Sequence, residues 1–209
     1  MQASGIVLAG GQSRRMGRDK RLVEVDGRPM LAAAIDLLGL VSDDVIAACG
    51  RSQPSTAPAG PGVRIAFDAV GEGPLAGIEA GLAAARHEVA LVVPVDMPYL
   101  TAPTVRRLLD ALADAPDFDG AVFGLAGRGL PLPVAYRRSV LPALRARLAR
   151  GEFRLRDWHA TLRLTMVEGS LGGEGGEGRQ GEDLFVNVNR ATDLLGAAGR
   201  GEVSTRDGA

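Results

Sequence analysis

The chain has 209 residues, a net charge of −1, one cysteine and only 4% aromatic residues. This length can bury one good core, so a single domain over residues 1–198 is expected. The near-zero charge excludes a strong overall field towards nucleic acid or acidic membrane, and the lone Cys49 excludes a disulfide framework and an all-cysteine zinc site. No apolar run approaches the ~20 residues of a membrane span. The first residues lack a charged segment followed by a secretory core, so a cytoplasmic protein is the default expectation.

Residues 5–8 form a short apolar run that predicts a buried first strand. The stretch that follows is the most informative in the chain: Leu8-Ala9-Gly10-Gly11-Gln12-Ser13-Arg14-Arg15-Met16-Gly17-Arg18-Asp19-Lys20. Glycine lets backbone N–H groups approach a ligand with no Cβ in the way. Successive N–H groups in such a loop form a concave anion site, and Arg14, Arg15, Arg18, Lys20 and Arg21 supply the opposite charge. A nucleotide-phosphate loop is the physical reading; a basic surface turn or a nucleic-acid patch is the alternative. The spacing matches neither a Walker loop nor a dinucleotide fingerprint.

Met30, Leu31, Ala34, Ile35 and Leu38 recur at helical spacing over 28–39, with Pro29 suited to the first turn. Residues 45–49 and 63–67 predict the second and third strands, separated by a Pro-, Ser-, Ala- and Gly-rich loop over 52–62. Gly71, Gly73 and Pro74 open a helix running towards residue 86. Residues 89–95 are nearly all apolar, as in a central parallel strand covered on both faces. After Asp96-Met97-Pro98, Thr101 starts a helix whose apolar positions are Val105, Leu108, Leu109 and Leu112.

The second half is less regular. Strands are expected over 120–125 and 132–136, with Gly127-Arg128-Gly129 between them. Helices are expected over 139–150 and 153–161, and a strand over 162–168. The Gly- and Glu-rich segment 169–183 reads as a mobile loop, followed by a strand over 184–188, a helix over 191–198 and a disordered tail over 199–209. Strand and helix alternate through the first half, which predicts an α/β fold: a three-layer, doubly wound, mostly parallel sheet.

Ligands of open α/β sheets sit beyond the C-terminal ends of the strands. The first loop, Asp68 and Asp96 therefore share one rim. Carboxylates beside a basic phosphate loop suggest a magnesium nucleotide, because Mg2+ takes one or two protein carboxylates and completes its shell with phosphate and water oxygens. For Asp68 a turn cap is the competing reading. For Asp96, a charge ending a long apolar strand, a ligand role is favoured. Asn187 and Asn189 point the same way along a strand and can present amides to one ligand, or can simply be turn-forming residues. Cys49 reads as a buried strand cysteine, and His87 and His159 as surface or structural residues. The basic helix, Arg137 to Arg150, reads as a solvated face, with a phosphate or partner surface as the alternative.

The opening loop, Gly73-Pro74-Leu75-Ala76-Gly77, Asp96-Met97-Pro98 and Asn187-Val188-Asn189 occur in order at intervals that resemble the molybdenum cofactor guanylyltransferases, within the larger Rossmann-like nucleotidyltransferase superfamily. The resemblance covers most of the chain. It implies that Leu8, Ala9, Gly10 and Lys20 bind GTP, that Asp68 contacts the nucleotide, and that Asp96 binds nucleotide and Mg2+. It also implies that Asn187 and Asn189 lie near the molybdopterin substrate. Arg15 and the Gly10–Gly11 backbone are inferred from the loop, Arg15 as a charge-stabilising partner of Lys20 and the glycines as a phosphate cradle. The family's asparagine after the second strand has no counterpart in Ala47-Ala48-Cys49-Gly50, so no residue is carried over there. The expected reaction joins GTP to molybdopterin-bound cofactor, with transient contact to enzymes that make or receive it. A cytidylyltransferase of the same cofactor, a sugar-phosphate nucleotidyltransferase and a non-catalytic nucleotide-binding chaperone are the rival readings. Leu8-Ala9-Gly10-Gly11 and Asp96-Met97-Pro98 favour guanine over cytosine.

Overall fold

The computed structural model describes residues 1–10, 23–50, 62–68, 73–125, 128–168 and 185. The first strand, β1 (Ser4–Leu8), is buried at every position. A two-residue hairpin, β2 (Glu24–Val25) with β3 (Arg28–Pro29), precedes helix α1 (Met30–Gly39). Pro29 thus caps the helix and does not occupy its first turn, because Arg28 and Pro29 are taken up by strand pairing. Strands β4 (Asp44–Cys49) and β5 (Val63–Phe67) follow, then α2 (Pro74–Ala84) and β6 (Val89–Pro94). Gly73 caps α2 at φ 90°, a conformation open to glycine at no steric cost.

Helix α3 (Ala102–Asp114) starts where the threonine suggested. Thr101 is its N-cap, and its side chain accepts from the Thr104 N–H at 3.4 Å. Val105, Leu108, Leu109 and Leu112 are all buried, as their spacing required. Strands β7 (Gly120–Leu125) and β8 (Arg128–Arg137) come next; β8 is longer than its apolar stretch and absorbs Arg128 and Gly129, which had read as a turn. A 3-10 turn (Arg138–Val140) leads into α4 (Leu141–Ala149), then α5 (Leu155–His159) and β9 (Leu164–Glu168).

Seven strands form one sheet in the order β5-β4-β1-β6-β8-β7-β9. Only β8 runs antiparallel to its neighbours; the remaining pairs are parallel. The alternation of side chains along the central strands feeds two cores. Val7, Ala47, Leu91, Val93 and Phe123 pack with Leu31 and Leu38 of α1 and Leu108 and Leu112 of α3. Ile6, Ile46, Val92 and Tyr136 pack with α2, α4 and Trp158 of α5 on the other side. Aliphatic residues fill both layers, as the low aromatic content demanded. The expected three-layer, mostly parallel α/β architecture is therefore present.

A polar cluster pins the N-terminal ends of these strands. Asp44, 3% exposed, opens β4. Its Oδ2 accepts from the Ser4 hydroxyl at 2.6 Å and from the Arg86 N–H at 3.0 Å, and its Oδ1 accepts from Arg64 Nε at 3.0 Å. Burial alone would raise this carboxyl, but the Ser4, Arg86 and Arg64 donors outweigh it and hold it below its ordinary value. At the surface nearby, His87 Nε2 lies 2.7 Å from Asp43, so this histidine is structural as expected. Cys49 is buried at the end of β4. Among the described residues, no helix is long and apolar enough to cross a membrane. The 169–183 loop, the 184–188 strand apart from Phe185, the 191–198 helix and the 199–209 tail lie outside the described residues.

Candidate active site

The strand register places the expected residues along one rim. Leu8, the last residue of β1, sits opposite Ala48 of β4 and Pro94 of β6. Hydrogen bonding continues one step further: the Ala9 N–H donates to the Ala48 carbonyl at 2.9 Å, and the Val95 N–H donates to the Leu8 carbonyl at 3.3 Å. Gly10 and Asp96 then leave the sheet from adjacent strands. On the other side of β4, the Asp68 N–H donates to the Cys49 carbonyl at 3.1 Å. The order along the rim is thus Asp68, Gly50, Gly10, Asp96.

This spacing limits what the two carboxylates can do. Asp68 follows β5 and Asp96 follows β6, three strand steps apart in the sheet. At about 4.8 Å per step the separation is roughly 14 Å, so they cannot coordinate one ion together. They can contact separate parts of one extended ligand lying across β4 and β1. Both are half-buried, as groups facing a crevice should be. Among the described residues there is no cluster of three or more acidic, histidine or cysteine side chains suited to a metal. A single carboxylate at Asp96 still suits Mg2+, which draws most of its ligands from phosphate and water.

Backbone proximity shapes the middle of the rim. A Cβ on Gly10 would lie 3.1 Å from the Gly50 nitrogen and 3.7 Å from the Cys49 carbonyl carbon. Gly10 therefore lets the β1 and β4 exits approach more closely than most side chains would. A Cβ on Gly50 would in turn sit 4.0 Å from Asp68 Oδ2, so the carboxylate faces this floor. Gly50 was not singled out from sequence, since its only signal was a glycine directly after a strand. Leu8 and Ala9 are buried, and the Leu8 carbonyl and the Ala9 N–H are taken up by hydrogen bonds to the neighbouring strands.

Gly11, Arg15 and Lys20 in the opening loop, and Asn187 and Asn189 near the C-terminus, lie outside the described residues. Phe185, two residues before Asn187, packs on Phe123 of β7 with ring centroids 5.0 Å apart. Arg107 stands over the Phe123 ring at 5.8 Å.

The family model for the MobA-like NTP transferase domain matches residues 5–165. The chain belongs to this family. A molybdenum cofactor guanylyltransferase of Shewanella loihica is 31% identical over 189 residues, covering 90% of this chain and 91% of that protein. Solved structures with low identity share the fold. Molybdopterin-guanine dinucleotide biosynthesis protein A from Archaeoglobus fulgidus has a TM-score of 0.72 at 19% identity, covering 93% of this chain and 96% of its own. The 2-C-methyl-D-erythritol 4-phosphate cytidylyltransferase from Thermus thermophilus has a TM-score of 0.66 at 19% identity, covering 95% and 98%. A cytidylyltransferase on the same scaffold shows that the fold alone does not choose the base. The MobA-like chain is a nucleotidyltransferase, and Asp68, Gly50, Gly10 and Asp96 follow one another along its rim.

Proposed function

We propose that this protein transfers GMP from GTP to molybdopterin-bound molybdenum cofactor, forming the guanine dinucleotide cofactor and pyrophosphate. The observation that supports the reading is the rim itself: Gly10 leaves β1 beside Asp96, with Asp68 three strands away. The 31% identity to a guanylyltransferase over nearly the whole chain supports guanine and the pterin acceptor.

In this reaction a phosphate oxygen of the acceptor attacks the α-phosphorus of GTP, the new P–O bond forms, and the bond to pyrophosphate breaks. The attacking oxygen is already anionic, so no general base is required. The residues have to align two anions and neutralise charge as it shifts to the leaving group. The Gly10–Gly11 backbone cradles the phosphates, Leu8 and Ala9 border the bound GTP, and Lys20 and Arg15 offset the charge on the transferring and leaving groups. Asp68 holds the nucleoside end, and Asn187 and Asn189 address the pterin. Asp96 would hold Mg2+, which when bound supplies positive charge to phosphate oxygens. The reaction belongs in the cytoplasm, and a brief encounter with an enzyme receiving the cofactor is part of the reading.

The test is a nucleotide panel with Mg2+ and molybdopterin cofactor, read by product mass and by thermal shift. GTP should give the larger stabilisation, since a ligand at one hundred times its Kd adds about 2.7 kcal/mol. An equal or larger shift and product with CTP would overturn the guanine assignment.

A further inference from the structure

Glu168, the last residue of β9, and Phe185 are separated by residues 169–184, yet one side chain of α3 ties both to the same patch of the sheet. Arg107 donates from Nη2 to the Glu168 carbonyl at 2.7 Å. Its guanidinium carbon also stands 5.8 Å from the centroid of the Phe123 ring, on which Phe185 packs at 5.0 Å with ring planes at 57°. A charged donor makes a strong hydrogen bond, and a planar guanidinium has edges for a carbonyl and a face for a ring. The patch lies on the α3 face of β7 and β9. The other face of these strands lines a cavity of about 410 Å³ with Val122, Leu164, Arg128 and Arg156.

Arg107 is exposed, Phe123 is fully buried and Phe185 is half-buried. An exposed cation over a ring adds little to the stability of the whole fold. What this one fixes is position. Its neighbour Arg106 donates to the Leu40 carbonyl beyond the end of α1 and takes no part in the patch.

Strand direction puts the patch at the reacting end of the sheet. β8 runs antiparallel to β6 and β7, and β9 runs parallel to β7, so β6, β7 and β9 all end on the side where Asp96 stands. Phe123 pairs with Val167 and Gly124 with Glu168, close to those ends. Asn187 and Asn189 follow Phe185 by two and four residues, which allow at most about 7 and 14 Å of extended chain. Whatever holds Phe185 therefore limits where both amides can stand, and a displacement of about 1 Å is enough to weaken a contact made to a bound substrate. We propose that Arg107 is a positioning residue for the acceptor side of the reaction. Through the Glu168 carbonyl and the Phe123–Phe185 ring pair, it fixes the point from which the chain carrying Asn187 and Asn189 starts. The assignment rests on the guanylyltransferase reading above and on the acceptor role given there to the two asparagines.

The experiment combines steady-state kinetics with amide hydrogen exchange. Arg107→Ala should raise the KM for the molybdopterin acceptor ~5-fold and Phe185→Ala at least ~10-fold, with kcat and the KM for GTP within ~2-fold, the signature of lost ground-state binding to one substrate. Arg107→Lys keeps the charge and should recover part of the loss, Phe185→Tyr keeps the ring and should recover most of it, and Arg106→Ala should behave as wild type. The double alanine variant should stay within ~2-fold of Phe185→Ala, because the two side chains act through one contact. Independently of turnover, exchange in the peptide containing Phe185 should quicken at least ~5-fold in Arg107→Ala, with the β1 and β6 peptides unchanged. Unchanged acceptor KM and unchanged exchange in both alanine variants would overturn the assignment. So would an equal loss for GTP and acceptor with a lowered melting temperature, the mark of a purely structural role. Absence of GMP transfer by the wild type, with exchange at Phe185 still dependent on Arg107, would overturn the guanylyl reading and leave the Arg107 anchor standing.

Discussion

The two ends of the parallel strands treat carboxylates in opposite ways. At the N-terminal end, Asp44 is 3% exposed and surrounded by the Ser4 hydroxyl, the Arg86 N–H and the Arg64 guanidinium. At the C-terminal end, Asp68 and Asp96 are half-buried along a rim floored by Gly10 and Gly50. The difference teaches where such a fold can keep a charge for a ligand. Connections at the N-terminal end close over the sheet and bring fixed donors to a buried acid. At the C-terminal end, open α/β sheets keep the crevice in which their ligands sit.

Removing the buried acid should give the largest effect. Asp44→Ala leaves Arg64, Ser4 and the Arg86 N–H without their acceptor, and a stability loss of about 3–5 kcal/mol is expected for breaking a buried charge cluster. Urea unfolding measures it, and kcat/KM of the folded fraction should stay within ~2-fold of wild type, since no reacting atom is touched. A loss below ~1 kcal/mol would place Asp44 with ordinary surface ion pairs and erase the contrast between the two ends.

The rim acid should show the reverse pattern. Asp96→Asn keeps size but removes charge, and turnover should fall by at least ~100-fold, about 2.7 kcal/mol of transition-state stabilisation. Its melting temperature should stay near wild type. Near-normal turnover at limiting Mg2+ would remove Asp96 from the reaction.

A smaller effect separates the acidic limbs of stability. Burial depresses His159 from 6.5 to about 4, so the unfolded chain binds the extra proton between those values while the folded chain does not. The stabilisation is complete above pH 6.5 and is lost as pH falls towards 4, by about 2 kcal/mol after allowance for partial solvent screening. His159→Gln should flatten this part of the pH profile. The Asp44 contribution lies lower: its carboxyl is held below 3.8, so its stabilisation is present above that value and lost as pH drops further through the lowered one. A profile of the His159→Gln variant that still falls steeply between pH 6.5 and 4 would assign the limb to another group.

The opening loop sets one large effect against the two smallest. Lys20→Ala should lower kcat/KM for GTP by ~100-fold or more, whereas Arg18→Ala and Arg21→Ala should each change it less than ~5-fold, about 1 kcal/mol. Equal damage from all three, at the same salt and saturating Mg2+, would turn the phosphate clamp into a diffuse basic patch.

The sequence by itself determined the strand-helix alternation, the three-layer α/β class and the family. Those rest on local signals: apolar runs at 89–95, helical spacing at Val105, Leu108, Leu109 and Leu112, and four short motifs in order. It also marked Asp68 and Asp96 as strand-end residues, because the end of an apolar run is visible in one dimension. Only the tertiary structure decided how far apart they stand. Their separation depends on β4 and β1 lying between β5 and β6, an order set by crossover connections and not by any residue near either acid. The tertiary structure also decided the partners of Asp44, since Ser4, Arg64 and Arg86 reach it from three separate parts of the chain. Arg128 and Arg156 were illegible for the same reason. Arg128 fell in an expected turn and Arg156 in an expected helix, and their common cavity exists only because β7, β8, β9 and α5 meet at the far side of the sheet.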